Sequence, residues 1–117
     1  MSKYFPKEKQ SWIVAPVRGG TEINKSVIWE GAFNIRSAFF RMPKGMCIPR
    51  HTHPKWVQVM VVEGEMEIDT GQGEKINVAA GGCYFVEPGD THMETALLDT
   101  LVLVTQGEDR PEFLSSD

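Results

Sequence analysis

The stretch from Trp56 to Thr70, WVQVMVVEGEMEIDT, limits what this chain can fold into more than any other part of it. In Glu65-Met66-Glu67-Ile68-Asp69-Thr70, charged and less polar residues alternate with period two, which gives the segment one wet face and one face for a core. That is the pattern of an antiparallel strand. Glu63-Gly64 separates it from the run Trp56–Val62 and predicts a tight hairpin turn. Further short runs at Trp12–Val17, Val27–Trp29, Asn34–Met42, Lys75–Val78, Cys83–Val86, His92–Thr95 and Leu101–Thr105 read as strands, most of them bounded by glycine or proline. Gly71-Gln72-Gly73 and Glu87-Pro88-Gly89-Asp90 supply additional turns. One segment competes as a helix: Thr91-His92-Met93-Glu94 fits a capping box, and Met93, Ala96, Leu97, Thr100 and Leu101 follow helical spacing. The turn-like Asp99-Thr100 before β-rich Leu101–Thr105 favours strands there too, so the expectation is an all-β closed or two-sheet barrel.

A chain of 117 residues has room for one such domain and no separate cofactor domain, with polar tails at about residues 1–11 and 107–117. The apolar stretches Val59–Val62 and Leu101–Val104 are too short to span a bilayer, and MSKYFPKEKQ lacks the apolar core of a signal peptide. A soluble, cytoplasmic protein with no membrane partner is expected. Twelve basic against 16 acidic residues give a net charge of −4 with no basic stripe, which argues against a nucleic-acid partner. Cys47 and Cys83 read as small buried apolar groups.

The chain has three histidines, and all three fall into one pattern. His51 and His53 are spaced i, i+2, so on an extended strand their imidazoles point to the same face, and His92 from a neighbouring strand can complete a set of three ligands. A lone histidine is more often a polar surface or satisfied core group. Three in one pattern point to a metal.

These residues lie in segments that resemble the two motifs of the cupin superfamily, G(x)5HxH(x)3,4E(x)6G and G(x)5PxG(x)2H(x)3N. The first is similar to Gly45-MCIPR-His51-Thr-His53-PKWVQVMVVE-Gly64, and the second to Gly81-GCYFVEPG-DT-His92 with Gly89 three residues before the histidine. The resemblance spans about residues 35 to 105 and implies a double-stranded β-helix, or jelly-roll, barrel. It implies no single function, because this barrel hosts dioxygenases, isomerases, epimerases, lyases and pure ligand binders.

Two departures leave the site untouched: Glu87 stands at the proline of the second motif, and Ala96 at its asparagine. The third departure concerns the metal. Where the first motif carries a glutamate, four or five residues after His53, this chain has Val57 and Gln58. Strict alternation from His51 and His53 carries Val57, Val59 and Val61 inward, whereas a bulge at Pro54 would bring in Gln58. Both registers stand as alternatives. Gln58 is taken as the expected fourth ligand beside His51, His53 and His92, because a metal or its water would partner the buried amide.

Period two from His92 returns Glu94 to the same face, which makes it the candidate catalytic base; the bland alternative is a solvated rim residue. Trp56 is the expected pocket wall, while Trp29, Phe39, Phe40 and Tyr84 read as core or interface. Arg36, Arg41 and Arg50 are weighed as clamps for a substrate carboxylate against ordinary surface positions. The expected cofactor is one divalent ion, iron first, with manganese, nickel, zinc or copper as the other candidates. The resemblance then implies three classes: a three-histidine dioxygenase acting on a small organic molecule, a non-redox isomerase, cyclase or lyase such as a uronate ring-opener, or a non-catalytic metal- or ligand-binding module. The tail Arg110-Pro-Glu-Phe113-Leu is similar to that of uronate-processing cupins. Uncovered sheet edges add the expectation of a homodimer.

Overall fold

The computed structural model describes residues 3–16 and 22–107. After one 3-10 turn at Lys7–Lys9 come ten strands: β1 (Ile13–Pro16), β2 (Glu22–Glu30), β3 (Ile35–Met42), β4 (Cys47–Thr52), β5 (Val57–Glu63), β6 (Glu65–Asp69), β7 (Lys75–Ala79), β8 (Cys83–Val86), β9 (Thr91–Ala96) and β10 (Thr100–Gly107). They form a six-stranded sheet in the order β1-β2-β3-β10-β5-β8 and a four-stranded sheet in the order β4-β9-β6-β7. Every pairing is antiparallel. The two sheets face each other as a jelly-roll barrel. Among the described residues no helix is long and apolar enough to cross a membrane.

Period two explains the core. Along β5, Val57, Val59 and Val61 are buried while Gln58, Met60 and Val62 are exposed. Along β6, Met66 and Ile68 are buried between half-buried Glu65, Glu67 and Asp69. These five side chains, with Ile23, Met42, Val78, Val86, Ala96 and Val102, fill the space between the sheets. Each fully buried Val, Ile or Met stabilises the fold by about 1.5–3 kcal/mol.

Two local readings of the sequence need correction, and a third is borne out. Glu63-Gly64 does not close a hairpin: β5 belongs to the six-stranded sheet and β6 to the four-stranded one, so the turn is a corner at which the chain changes sheets. Gly64 makes that corner possible with φ +91°, and a Cβ there would stand 2.5 Å from both Asp99 O and Thr100 Oγ1. The segment Cys47–Thr52, which has no clear alternation, is the strand β4. Residues 91–96 are extended rather than helical, because β9 is hydrogen-bonded on both sides, to β4 and to β6. Val17 and the 110–114 motif lie outside the described residues, and Gly107, placed in the tail by the sequence, ends β10.

Candidate metal centre

The β4–β9 pair builds the site. Its register sets His51 directly opposite His92, and both rings are buried, with His53 half-buried just past the end of β4. The Nε2 atoms of His51 and His53 are 2.9 Å apart, and those of His51 and His92 are 3.0 Å apart. His51 Nδ1 donates to Pro49 O at 2.7 Å, since a carbonyl oxygen only accepts. That bond fixes the tautomer, so the Nε2 of neutral His51 turns a single lone pair toward the other two rings.

One lone pair cannot satisfy two neighbouring nitrogens, whereas a cation at the point of convergence can. Metal–nitrogen bonds of about 2.1 Å at right angles place ligand nitrogens about 3.0 Å apart, which matches the His51–His53 and His51–His92 spacings, and all three ligand atoms lie within 4.8 Å of one another. Burial, and then the nearby His51, lower the His92 pKa to about 4 against a smaller opposing effect of Asp90, so its ring is neutral and able to ligate near pH 7. His92 Nδ1 is buried with no hydrogen-bond partner among the described residues, so on that side packing alone holds the ring. The three histidines fit a divalent metal ion.

Gln58 is not part of this cluster. It lies on the exposed face of β5, opposite Phe85 and Thr105, while Val57 is 3% exposed and lines the cavity. Turning Gln58 inward would turn Val57, Val59 and Val61 out of the core together, a loss far larger than one amide contact returns. Residues 53–56 lie outside any strand, so the bend at Pro54 is absorbed before β5 begins. The position that carries glutamate in the family motif is here filled by an apolar wall.

A carboxyl reaches the cavity from elsewhere. Glu94, two residues after His92 on β9, is buried and accepts a hydrogen bond at Oε2 from the hydroxyl of Tyr84 on β8. Burial raises the Glu94 pKa above its ordinary value, while the Tyr84 hydrogen bond and His51 work against that rise. Burial first, and then the Glu94 charge, push the Tyr84 hydroxyl well above the usual tyrosine range. The sequence alone reads Tyr84 as core or interface. Its period-two relation to buried Val86 on β8 was the available signal.

The remaining candidates lie elsewhere. Trp56 stacks on Phe85 and packs over Gly107, outside the lining of the cavity, which corrects its expected role as a wall. Arg36 stands 3.8 Å from Glu30, Arg41 covers the Trp12 ring, and Arg50 stands 3.8 Å from Asp69; none lines the cavity. Cys83 is exposed and Cys47 half-buried, so neither is the fully buried group expected.

Residues 7–108 match the ChrR cupin-like domain family. No curated protein matches the chain. Among solved structures, KdgF from Halomonas sp. is 22% identical with a TM-score of 0.74, covering 96% of this chain and 100% of that one. A predicted oxalate decarboxylase from Thermotoga maritima is 16% identical with a TM-score of 0.79, over 92% and 100% of the two chains. An RmlC-like cupin from Shewanella frigidimarina is 19% identical with a TM-score of 0.75, over 97% of each. At these identities the likeness is one of fold.

Proposed function

We propose, from the premise that the chain belongs to the ChrR cupin-like domain family, that the protein is a mononuclear metal enzyme acting on a small organic molecule, and that its reaction is a dioxygenation. The observation that carries this reading is the convergence of His51, His53 and His92 beside an apolar Val57 wall, with no carboxylate at the usual ligand position. A divalent ion on three neutral ligands keeps its full charge, and as iron(II) it supplies both Lewis acidity and a means of using dioxygen.

The chain's own residues do the rest. His51, held by Pro49 O, sets the direction of the site. The cavity walls, mostly valine, methionine and isoleucine, set an apolar surface beside it. Glu94, oriented by the Tyr84 hydroxyl, offers a polar contact and a proton acceptor to a molecule lying between it and the histidines.

The same Glu94 favours a second reading, a non-redox isomerase or lyase in which proton transfer is the whole reaction. Metal analysis of the purified protein, followed by oxygen uptake after anaerobic iron(II) loading, separates the two. Oxygen consumption that needs both iron and substrate supports the dioxygenase, whereas turnover with zinc or manganese under nitrogen supports the second reading. A protein that takes up no divalent ion refutes both. We also propose a homodimer, on the ground that Ile13 and Val14 of the edge strand β1 are 53% and 62% exposed.

A further inference from the structure

Most of the cavity lining away from the metal ligands is apolar. Phe40, Met42, Val57, Val59, Val102 and Val104 supply the walls that β3, β5 and β10 contribute. Among the described residues that line the cavity there is neither a lysine nor an arginine. Four basic residues are engaged elsewhere: Lys25 lies against the Phe40 ring, 5.9 Å from its centroid, and Arg36, Arg41 and Arg50 have the partners described above. The one hydroxyl in the lining, that of Tyr84, is spent on Glu94. Apart from the metal ligands and Glu94, only the Gln106 amide offers polar contact.

We infer that the substrate is a small amphiphile with one metal-chelating head and an uncharged apolar body, and that the site rejects dicarboxylates and polyhydroxylated acids. This rests on the metal-enzyme reading above and narrows it. A charge or hydroxyl on the body would lose its hydration against valine and methionine side chains and gain no partner. The head is treated differently, because the ion, the histidines and Glu94 compensate it; a carboxyl keeps acceptor capacity in either protonation state, so a head bearing an O–H finds an acceptor there. Size bounds the body. A closed apolar cavity of about 150 Å3 accommodates benzene, so the cavity of about 180 Å3 here, which opens to solvent, encloses on the order of seven or eight non-hydrogen atoms.

Two probes of equal size test this. 2-Hydroxyisovalerate and tartronate share the same α-hydroxy-carboxylate head and differ in that an isopropyl group in the first is a carboxylate in the second. Cobalt(II) is titrated into the whole protein until its visible bands saturate, and each probe is then titrated while the bands are followed. Free cobalt in buffer favours tartronate, which has the extra charge. In the protein the order reverses, with 2-hydroxyisovalerate binding about tenfold tighter or more. Bands that respond to tartronate as readily, or to neither probe, overturn the substrate class and leave the metal centre standing. Cobalt bands that never form overturn the metal centre itself, and the substrate class with it.

Discussion

His51 on β4 and His92 on β9 are direct cross-strand partners, and their Nε2 atoms meet 3.0 Å apart. Two strands far apart in sequence therefore aim two ring nitrogens at one point before any metal arrives, and His53 joins them at 2.9 Å from His51. Replacing any one of the three by alanine should weaken metal binding by about tenfold or more while the barrel stays folded, because the core lies on other residues. Calorimetric metal titration together with circular dichroism checks both halves.

The register of β5 makes Gln58 irrelevant to the ion. Gln58→Ala and Gln58→Glu should leave metal affinity within about twofold of wild type, as expected of exposed substitutions. Val57→Glu should bind metal more tightly and, without metal, melt at a lower temperature, since it buries an unpaired carboxyl. Tighter binding by Gln58→Glu alone would refute the register.

Half-buried Tyr84 donates to buried Glu94, so removing the donor leaves a buried acceptor unsatisfied. Tyr84→Phe should cost about 1–3 kcal/mol of stability. In a Glu94→Leu background the same change should cost clearly less, and a urea-unfolding double-mutant cycle measures the difference.

In the metal-free protein, His92 titrates near 4 when folded and near the ordinary histidine value, about 6.5, when unfolded. Between those values the unfolded chain binds more protons, so this contribution is complete above about pH 6.5 and is lost as the pH falls toward 4. Chelator-treated wild type should therefore lose more melting temperature on acidification through that window than His92→Gln does. Equal losses would show that His92 is not the group responsible.

Gly64 turns the chain from one sheet into the other where a Cβ would meet the backbone oxygen of Asp99 at 2.5 Å. Gly64→Ala combines that clash with an unfavourable positive φ and should destabilise by about 1–3 kcal/mol or more. Gly89→Ala, also at positive φ but with nothing within 4 Å of a Cβ, should be milder. Chemical denaturation of the two variants gives the comparison.

What the sequence determined by itself is what depends on neighbours along the chain. Period two marked the inward residues of β6, the HxH spacing marked a same-face pair, and the same period carried Glu94 to the face of His92. Resemblance to two short motifs extended this to the barrel. The tertiary structure decided the rest, because those outcomes depend on residues distant in sequence. Whether Val57 or Gln58 faced the metal was a choice between two registers, and only the packing of Val57, Val59 and Val61 against the opposite sheet made one of them costly. Glu63-Gly64 carried the local chemistry of a hairpin, yet pairing of Glu63 with Leu101 and of Glu65 with Ala79 drew its two strands into different sheets. Tyr84 became a partner of Glu94 for the same reason: the hydrogen bond joins β8 of one sheet to β9 of the other, and no spacing along the chain encodes a distance across a barrel.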